Sequence, residues 1–218
     1  MRLAIYGMGG SGKELLEMIE MAPDLSHKWN EIIFIDDTIP AGNYRGHKHF
    51  SFDEFKLSNP AKDTQIAIAL GEPMYRSMMA ERAAKYGYEL ATIIHPLSDI
   101  SKTAQIGKGV IIRLGCVVSA DAVIMDNTWL QNYVVIGHDA FIGKNCQISN
   151  FSTVSGHAVI GDNVYIGISA GIREDLRVGN NVIVAMGAMV VKDIPSERIA
   201  IGNPAHTMVK NSEHKVFK

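Results

Sequence analysis

The chain has 218 residues, 47% hydrophobic and 20% charged, with a formal net charge of −2. That is globular composition for one or two domains, and its near-neutral balance supplies no electrostatic footprint for nucleic acid or an anionic membrane surface. The opening MRLAIYGMGG is too short an apolar run for a signal peptide, the charge-free VIVAMGAMVV falls short of the ~20 residues a membrane helix needs, and two cysteines make no disulfide framework. A cytoplasmic location with reduced thiols is expected.

Residues 1–95 alternate between strand and helix. RLAIY reads as a short apolar strand running into GMGGSG, and KELLEMIEMA has Leu15, Leu16 and Ile19 at helical spacing. EIIFIDD is a second strand ending in two carboxylates. QIAIALG is a third, followed by a helical YRSMMAERAAKYG and a strand LATIIH. The stretch between Ala41 and Pro60 is ambiguous, with FDEF as the start of a short helix. This alternation predicts a mostly parallel sheet with helices on its faces, an α/β Rossmann-like domain.

From Ile100 the period changes. Every sixth residue from Ile100 to Val190 is Ile, Leu or Val, without interruption, and the residue four positions after each is small or aliphatic. A six-residue period matches neither the 3.6 of a helix nor the two of a simple strand, but it matches a parallel β-helix whose short strands turn a corner every six residues. The large aliphatics point inward and the small residues pack near the corners. Gly107, Gly137, Gly143, Gly161, Gly167 and Gly179 follow the aliphatic where a turn with positive φ is expected, and GKN, GDN and GNN supply Asn where a left-handed conformation is tolerated. Cys116 and Cys146 fall in the small-residue register and read as packing residues. The two halves give a mixed fold: residues 1–95 as a Rossmann-like domain, and 98–218 as a β-helix domain with a C-terminal tail.

Three hexapeptides make one coil, so residues 18 apart stack. His138, in IGHDAFIG, lies between Ala120 and Gly156, with open space beside its ring and the Gly156 N–H free for an oxyanion. An imidazole suits general acid–base proton transfer. Asp139 shares its column with His157, and either orients His138 or pairs with His157 one coil above. GMGGSG fits G-x-G-x-x-G after a strand and before a helix, where glycines and a helix N-terminus can cradle a phosphate, and Asp36 and Asp37 end the next strand. About 95 residues hold only one mononucleotide-binding half of the two that NAD requires, so a sugar nucleotide fits better. His27, His47, His49 and His214 are expected in loops or the tail. HKH at 47–49 reads as a solvated loop, and no metal site is expected.

YGMGGSG, FIDD, IALG, the unbroken hexapeptides, the HD within them and the closing IGNPA together resemble the hexapeptide-repeat (left-handed parallel β-helix) nucleotide-sugar acetyltransferases that carry a Rossmann-like N-terminal domain. This branch includes N-acetyltransferases of UDP-, dTDP- and GDP-linked 4-amino-4,6-dideoxy sugars and the sialic acid O-acetyltransferases. The resemblance implies acetyl-CoA as donor, a nucleotide-linked amino sugar as acceptor and a homotrimer with active sites between neighbouring β-helices. It implies His138 as general base with Asp139 raising its basicity. Gly9, Gly10, Ser11, Asp36, Asp37 and Gly71 would lie near the nucleotide, and Gln147, Gly156, Ile168 and Met186 near the CoA. Two positions depart from the family pattern: Gln131 (followed by Asn132) stands where many relatives have Asn, and Gln147 where many have a second His. Trimeric β-helix carbonic anhydrases need three zinc-binding histidines, and this β-helix has only His138 and His157. An O-acetyltransferase and a non-catalytic nucleotide-sensing scaffold are the rival functions.

Overall fold

A computed structural model describes residues 1–217, without the side chain of Met208. In the N-terminal half, the elements are β1 (Arg2–Tyr6), α1 (Gly10–Met21), α2 (Pro23–Ser26), β2 (Glu31–Ile35), β3 (Gly42–Tyr44), β4 (His47–Phe50), α3 (Phe52–Ser58), β5 (Thr64–Ile68), α4 (Pro73–Lys85) and β6 (Glu89–Leu90). The sheet order is β3-β4-β2-β1-β5-β6, parallel apart from the antiparallel β3–β4 hairpin. β1 is flanked by β2 and β5, so the chain reverses direction across the sheet there, which opens a crevice at the strands' C-terminal ends. The ambiguous stretch resolves into the hairpin and α3. Ser51 caps α3 by accepting from the Glu54 N–H while Glu54 accepts from the Ser51 N–H.

The expected strand LATIIH is divided between the two halves. Leu90 closes the N-terminal sheet, whereas Ile93–Ile94 pairs with Ile111–Ile112 as the first rung of the β-helix. From there each two-residue strand pairs in parallel with the strand 18 residues on, for example Val135–Ile136 with Thr153–Val154. The result is a three-faced prism. The first face begins at Ile93 in a sheet of eight strands that ends in an antiparallel hairpin (Arg198–Ile201 with His206–Lys210). The second face begins at Asp99 and has six strands, and the third begins at Gln105 and has five. Almost every large aliphatic of the six-residue series is buried inside. Two polar residues in the small register, Thr128 and Ser152, are accommodated because their hydroxyls donate to the carbonyls of Gly143 and Gly167 at 2.8 and 2.7 Å.

The corners correct one expectation. None of Gly107, Gly137, Gly143, Gly161, Gly167 and Gly179 has positive φ. They are glycines because the next coil lies against them: an added Cβ on Gly137 would sit 2.5 Å from the Gly156 nitrogen. The left-handed position falls two residues later, on Asp139, Asn145, Asn163, Ser169 and Asn181, with φ between 55° and 57° at four of them and 59° at Asn145.

The N-terminal domain covers the first face, where Ile93, Ile111 and Trp129 join the core formed by Leu3, Ile5, Leu15 and Phe34. Arg76 of α4 pins the two halves. Its fully buried guanidinium donates to the carbonyls of Ile68 (2.7 Å) and Leu70 (3.1 Å) on one side, and to the carbonyl and side chain of Asn127 on the other, with Trp129 stacked beneath. Burial without a counter-charge pushes this guanidinium down to about 9. The tail adds a second tie, since the N–H groups of Val216 and Phe217 donate to the Glu72 carboxylate.

Candidate active site

The crevice at the C-terminal ends of β1, β2 and β5 is a pocket of about 540 Å³. Gly9, Gly10, Ser11, Asp36, Asp37 and Gly71 all line it, so the six residues read as nucleotide contacts converge. The glycine pattern has a separate reason at each end. Gly7 turns the chain at φ +106°, and a Cβ on Gly12 would lie 1.8 Å from the Gly7 carbonyl oxygen, so only glycine lets α1 start this close to β1. Gly9 and Gly10 have open space beside them, leaving the N-terminus of α1 bare toward the pocket.

The two carboxylates also build the pocket. Asp36 accepts from the Met8 N–H at 2.9 Å and from the N–H and hydroxyl of Thr38, which ties β2 to the glycine loop. Burial pushes the Asp36 carboxyl up, but these hydrogen bonds outweigh it and hold the group below the usual carboxylate range. Asp37 accepts from the Tyr6 hydroxyl, the Arg82 guanidinium (2.8 Å) and the Phe52 N–H (2.8 Å). Burial first, and then the adjacent Asp37, pushes the Tyr6 phenol far up, so it remains a donor. Tyr6, Thr38, Tyr75 and Met79 also line the pocket and were not anticipated. The signal for two of them lay in the four-residue spacing of Tyr75 and Met79, which places both on one side of α4.

His138 stands at the corner between the second and third faces, 61% exposed, and its Nδ1 is 2.8 Å from Asp139 Oδ2. A carboxylate only accepts, so Nδ1 carries a proton, and in the neutral ring Nε2 is then the nitrogen with the lone pair. Nε2 points at the space over Gly156, where an added Cβ would be 2.8 Å away. Among the described residues, no protein group accepts from the Gly156 N–H. His157 Nε2 lies 3.8 Å from the same Asp139 oxygen, so the hydrogen bond goes to His138 and the His157 contact is longer.

The CoA set divides. Gly156 shares the His138 corner, while Ile168 and Met186 stack one coil apart on the exposed corner between the first and second faces. Gln147 differs from expectation. It is 1% exposed on the first face, between Trp129 and Tyr165 and beneath the N-terminal domain, so its amide does not reach a solvent-facing groove. Gln131 accepts from the Asn150 N–H, and the Asn132 N–H donates to Asn150, a ladder along one corner. His47 and His49 also differ from expectation: they belong to β4, and His49 is buried. Cys116 and Cys146 are free and buried, and burial pushes their thiols up to about 11 and about 12.

A nucleotide-sized pocket joined to a hexapeptide β-helix with an exposed His–Asp pair defines a two-domain hexapeptide-repeat transferase. The PglD N-terminal domain model matches residues 2–83, and the bacterial transferase hexapeptide model matches 121–156 and 157–192. The acetyltransferase domain of PglB from Neisseria gonorrhoeae FA1090 is 30% identical, with 95% of this chain and 99% of that chain covered and a TM-score of 0.87. The same domain in complex with acetyl coenzyme A is 31% identical, with 95% and 98% covered and a TM-score of 0.86. UDP-N-acetylbacillosamine N-acetyltransferase of Bacillus subtilis (strain 168) is 31% identical over 114 residues, 50% of each chain, so the match spans half of that relative's length. The chain belongs to the hexapeptide-repeat nucleotide-sugar acetyltransferase family. No described helix is long and apolar enough to cross a membrane.

Proposed function

We propose that this protein transfers the acetyl group of acetyl-CoA to the amino group of a nucleotide-linked 4-amino-4,6-dideoxy sugar, with His138 as general base. The observation that carries the reading is the His138–Asp139 hydrogen bond of 2.8 Å, which in the neutral ring assigns the lone pair to Nε2, facing a space that Gly156 keeps empty. In this mechanism the sugar amine attacks the thioester carbonyl carbon while Nε2 takes its proton. The Gly156 N–H donates to the developing oxyanion. Collapse breaks the C–S bond, and His138 returns the proton to the departing CoA thiolate. Asp139 orients the ring through Nδ1–H and stabilises the imidazolium that forms.

The nucleotide occupies the pocket behind the glycine loop, with the pyrophosphate at the N-terminus of α1. Acetyl-CoA runs along the β-helix past Gly156, Ile168 and Met186. The pocket's lining includes no β-helix residue, so the reading puts the reacting centre between copies in a homotrimer. The similar acetyltransferase domain with bound acetyl coenzyme A supports the donor, and the similar UDP-N-acetylbacillosamine N-acetyltransferase favours nitrogen over oxygen as acceptor.

The test is a thermal-shift panel of UDP-, dTDP-, GDP- and CMP-linked amino sugars, followed by mass detection of the acetylated product. One nucleotide class should raise the melting temperature and become acetylated, since a ligand of the folded state stabilises it. If no nucleotide sugar shifts the melt and none is acetylated, the reading fails.

A further inference from the structure

One donor atom from each of His138, Asp139 and His157 lies within 4.8 Å of the other two, and all three side chains are exposed. The backbone produces this convergence. Asp139 and His157 occupy left-handed corner positions one coil apart, at φ 56° and 57°, and the His157 N–H donates to the His138 carbonyl at 3.0 Å. Gly156 leaves room for the His138 ring, since an added Cβ would lie 2.8 Å from its Nε2, and the His138 and His157 rings meet edge to face at 5.0 Å.

We propose that this triplet is an inhibitory binding site for a divalent transition-metal ion of the zinc class. Two imidazoles and a carboxylate are a zinc-type donor set with a fourth position open to water. Zinc bonds of ~2.0–2.1 Å place tetrahedral donors about 3.3 Å apart. The present separations from Asp139 Oδ2, 2.8 Å to His138 Nδ1 and 3.8 Å to His157 Nε2, straddle that spacing. Exposed side chains can close on an ion by small rotations, without disturbing the core.

The consequence for catalysis rests on His138 being the general base, as proposed above. Without metal the neutral ring carries its proton on Nδ1 and offers the Nε2 lone pair. A metal ion that takes the Nδ1 lone pair moves that proton to Nε2, and the ring stays neutral with nothing oxidised or reduced. The attacking amine then has no acceptor for its proton. The ion therefore stops transfer by fixing the wrong tautomer, even where substrates still bind.

The test uses the full untagged chain, with zinc titrated calorimetrically and cobalt followed by its visible absorption. His157→Asn is the variant, because Asn tolerates positive φ and His157 has no part in the proton transfer. Wild type should bind one ion per chain, and His157→Asn should bind it at least about tenfold more weakly. The zinc concentration that halves the rate should rise by the same factor, the metal-free rate should be unchanged, and a chelator should restore wild type. Product is measured chromatographically, because the released CoA thiol itself binds zinc. Absence of saturable binding to wild type, or equal binding by His157→Asn, overturns the proposal. Zinc binding that depends on His157 in a protein that transfers no acetyl group would support the site while removing the catalytic reading.

Discussion

Gly156→Ala isolates the free space on which the mechanism depends. The residue does not have positive φ, so the backbone accepts alanine, and the corner should fold. The added methyl would lie 2.8 Å from His138 Nε2, 2.9 Å from Cε1 and 3.3 Å from Cδ2. Ordinary carbon contacts begin near ~3.4 Å, so the ring must withdraw by at least about 0.6 Å or rotate away. Either movement strains the 2.8 Å hydrogen bond to Asp139 and carries Nε2 from the line of attack. A displacement approaching 1 Å costs about 10²-fold in a positioned reaction, and kcat should fall on that scale. The corner is exposed and no core contact is lost, so the melting temperature should stay close to wild type. Steady-state kinetics with chromatographic product detection, beside a thermal melt, reads both quantities. A variant that folds normally and turns over at the wild-type rate would refute the claim that His138 Nε2 reacts over Gly156.

Gly10→Val should fold, because nothing lies within 4 Å of its Cβ position, yet fill part of the pocket; calorimetry should show weaker nucleotide-sugar binding with acetyl-CoA affinity intact. Cys116 and Cys146, buried and pushed up to about 11 and about 12, should resist a thiol reagent at pH 8 in the native protein and both react once it is unfolded. Asp36 is held below its ordinary value of 3.8, so its stabilisation is full above that value and is lost as pH falls through the folded value. Asp36→Asn should accordingly show a shallower loss of stability on acidification, read from denaturant midpoints.

The β-helix was legible because its core repeats the same requirement at every sixth residue, and no compensating insertion blurs the period. Its corner glycines were legible in position but not in cause: a glycine demanded by positive φ and one demanded by the next coil look the same in sequence. Gly12 and Gly156 likewise reveal their neighbours only in three dimensions, at the Gly7 carbonyl and the His138 ring. His138 and Asp139 stood out as adjacent polar residues between Ile-Gly pairs. Which partner Asp139 takes depends on a difference between 2.8 and 3.8 Å that no spacing rule resolves. Gln147 was misplaced because its burial comes from the other domain, and Arg76 was missed because it bonds to backbone carbonyls, which leave no trace in side-chain pattern.

The most direct measurement is kcat for His138→Ala with both substrates saturating. The side chain is 61% exposed, so its removal opens no core cavity and the variant should fold and bind both ligands. The kcat should fall by roughly 10²–10⁴, the scale of a positioned proton transfer, with Asp139→Asn falling less. A His138→Ala protein that binds both substrates and keeps near-normal kcat would contradict the assignment of His138 as the base.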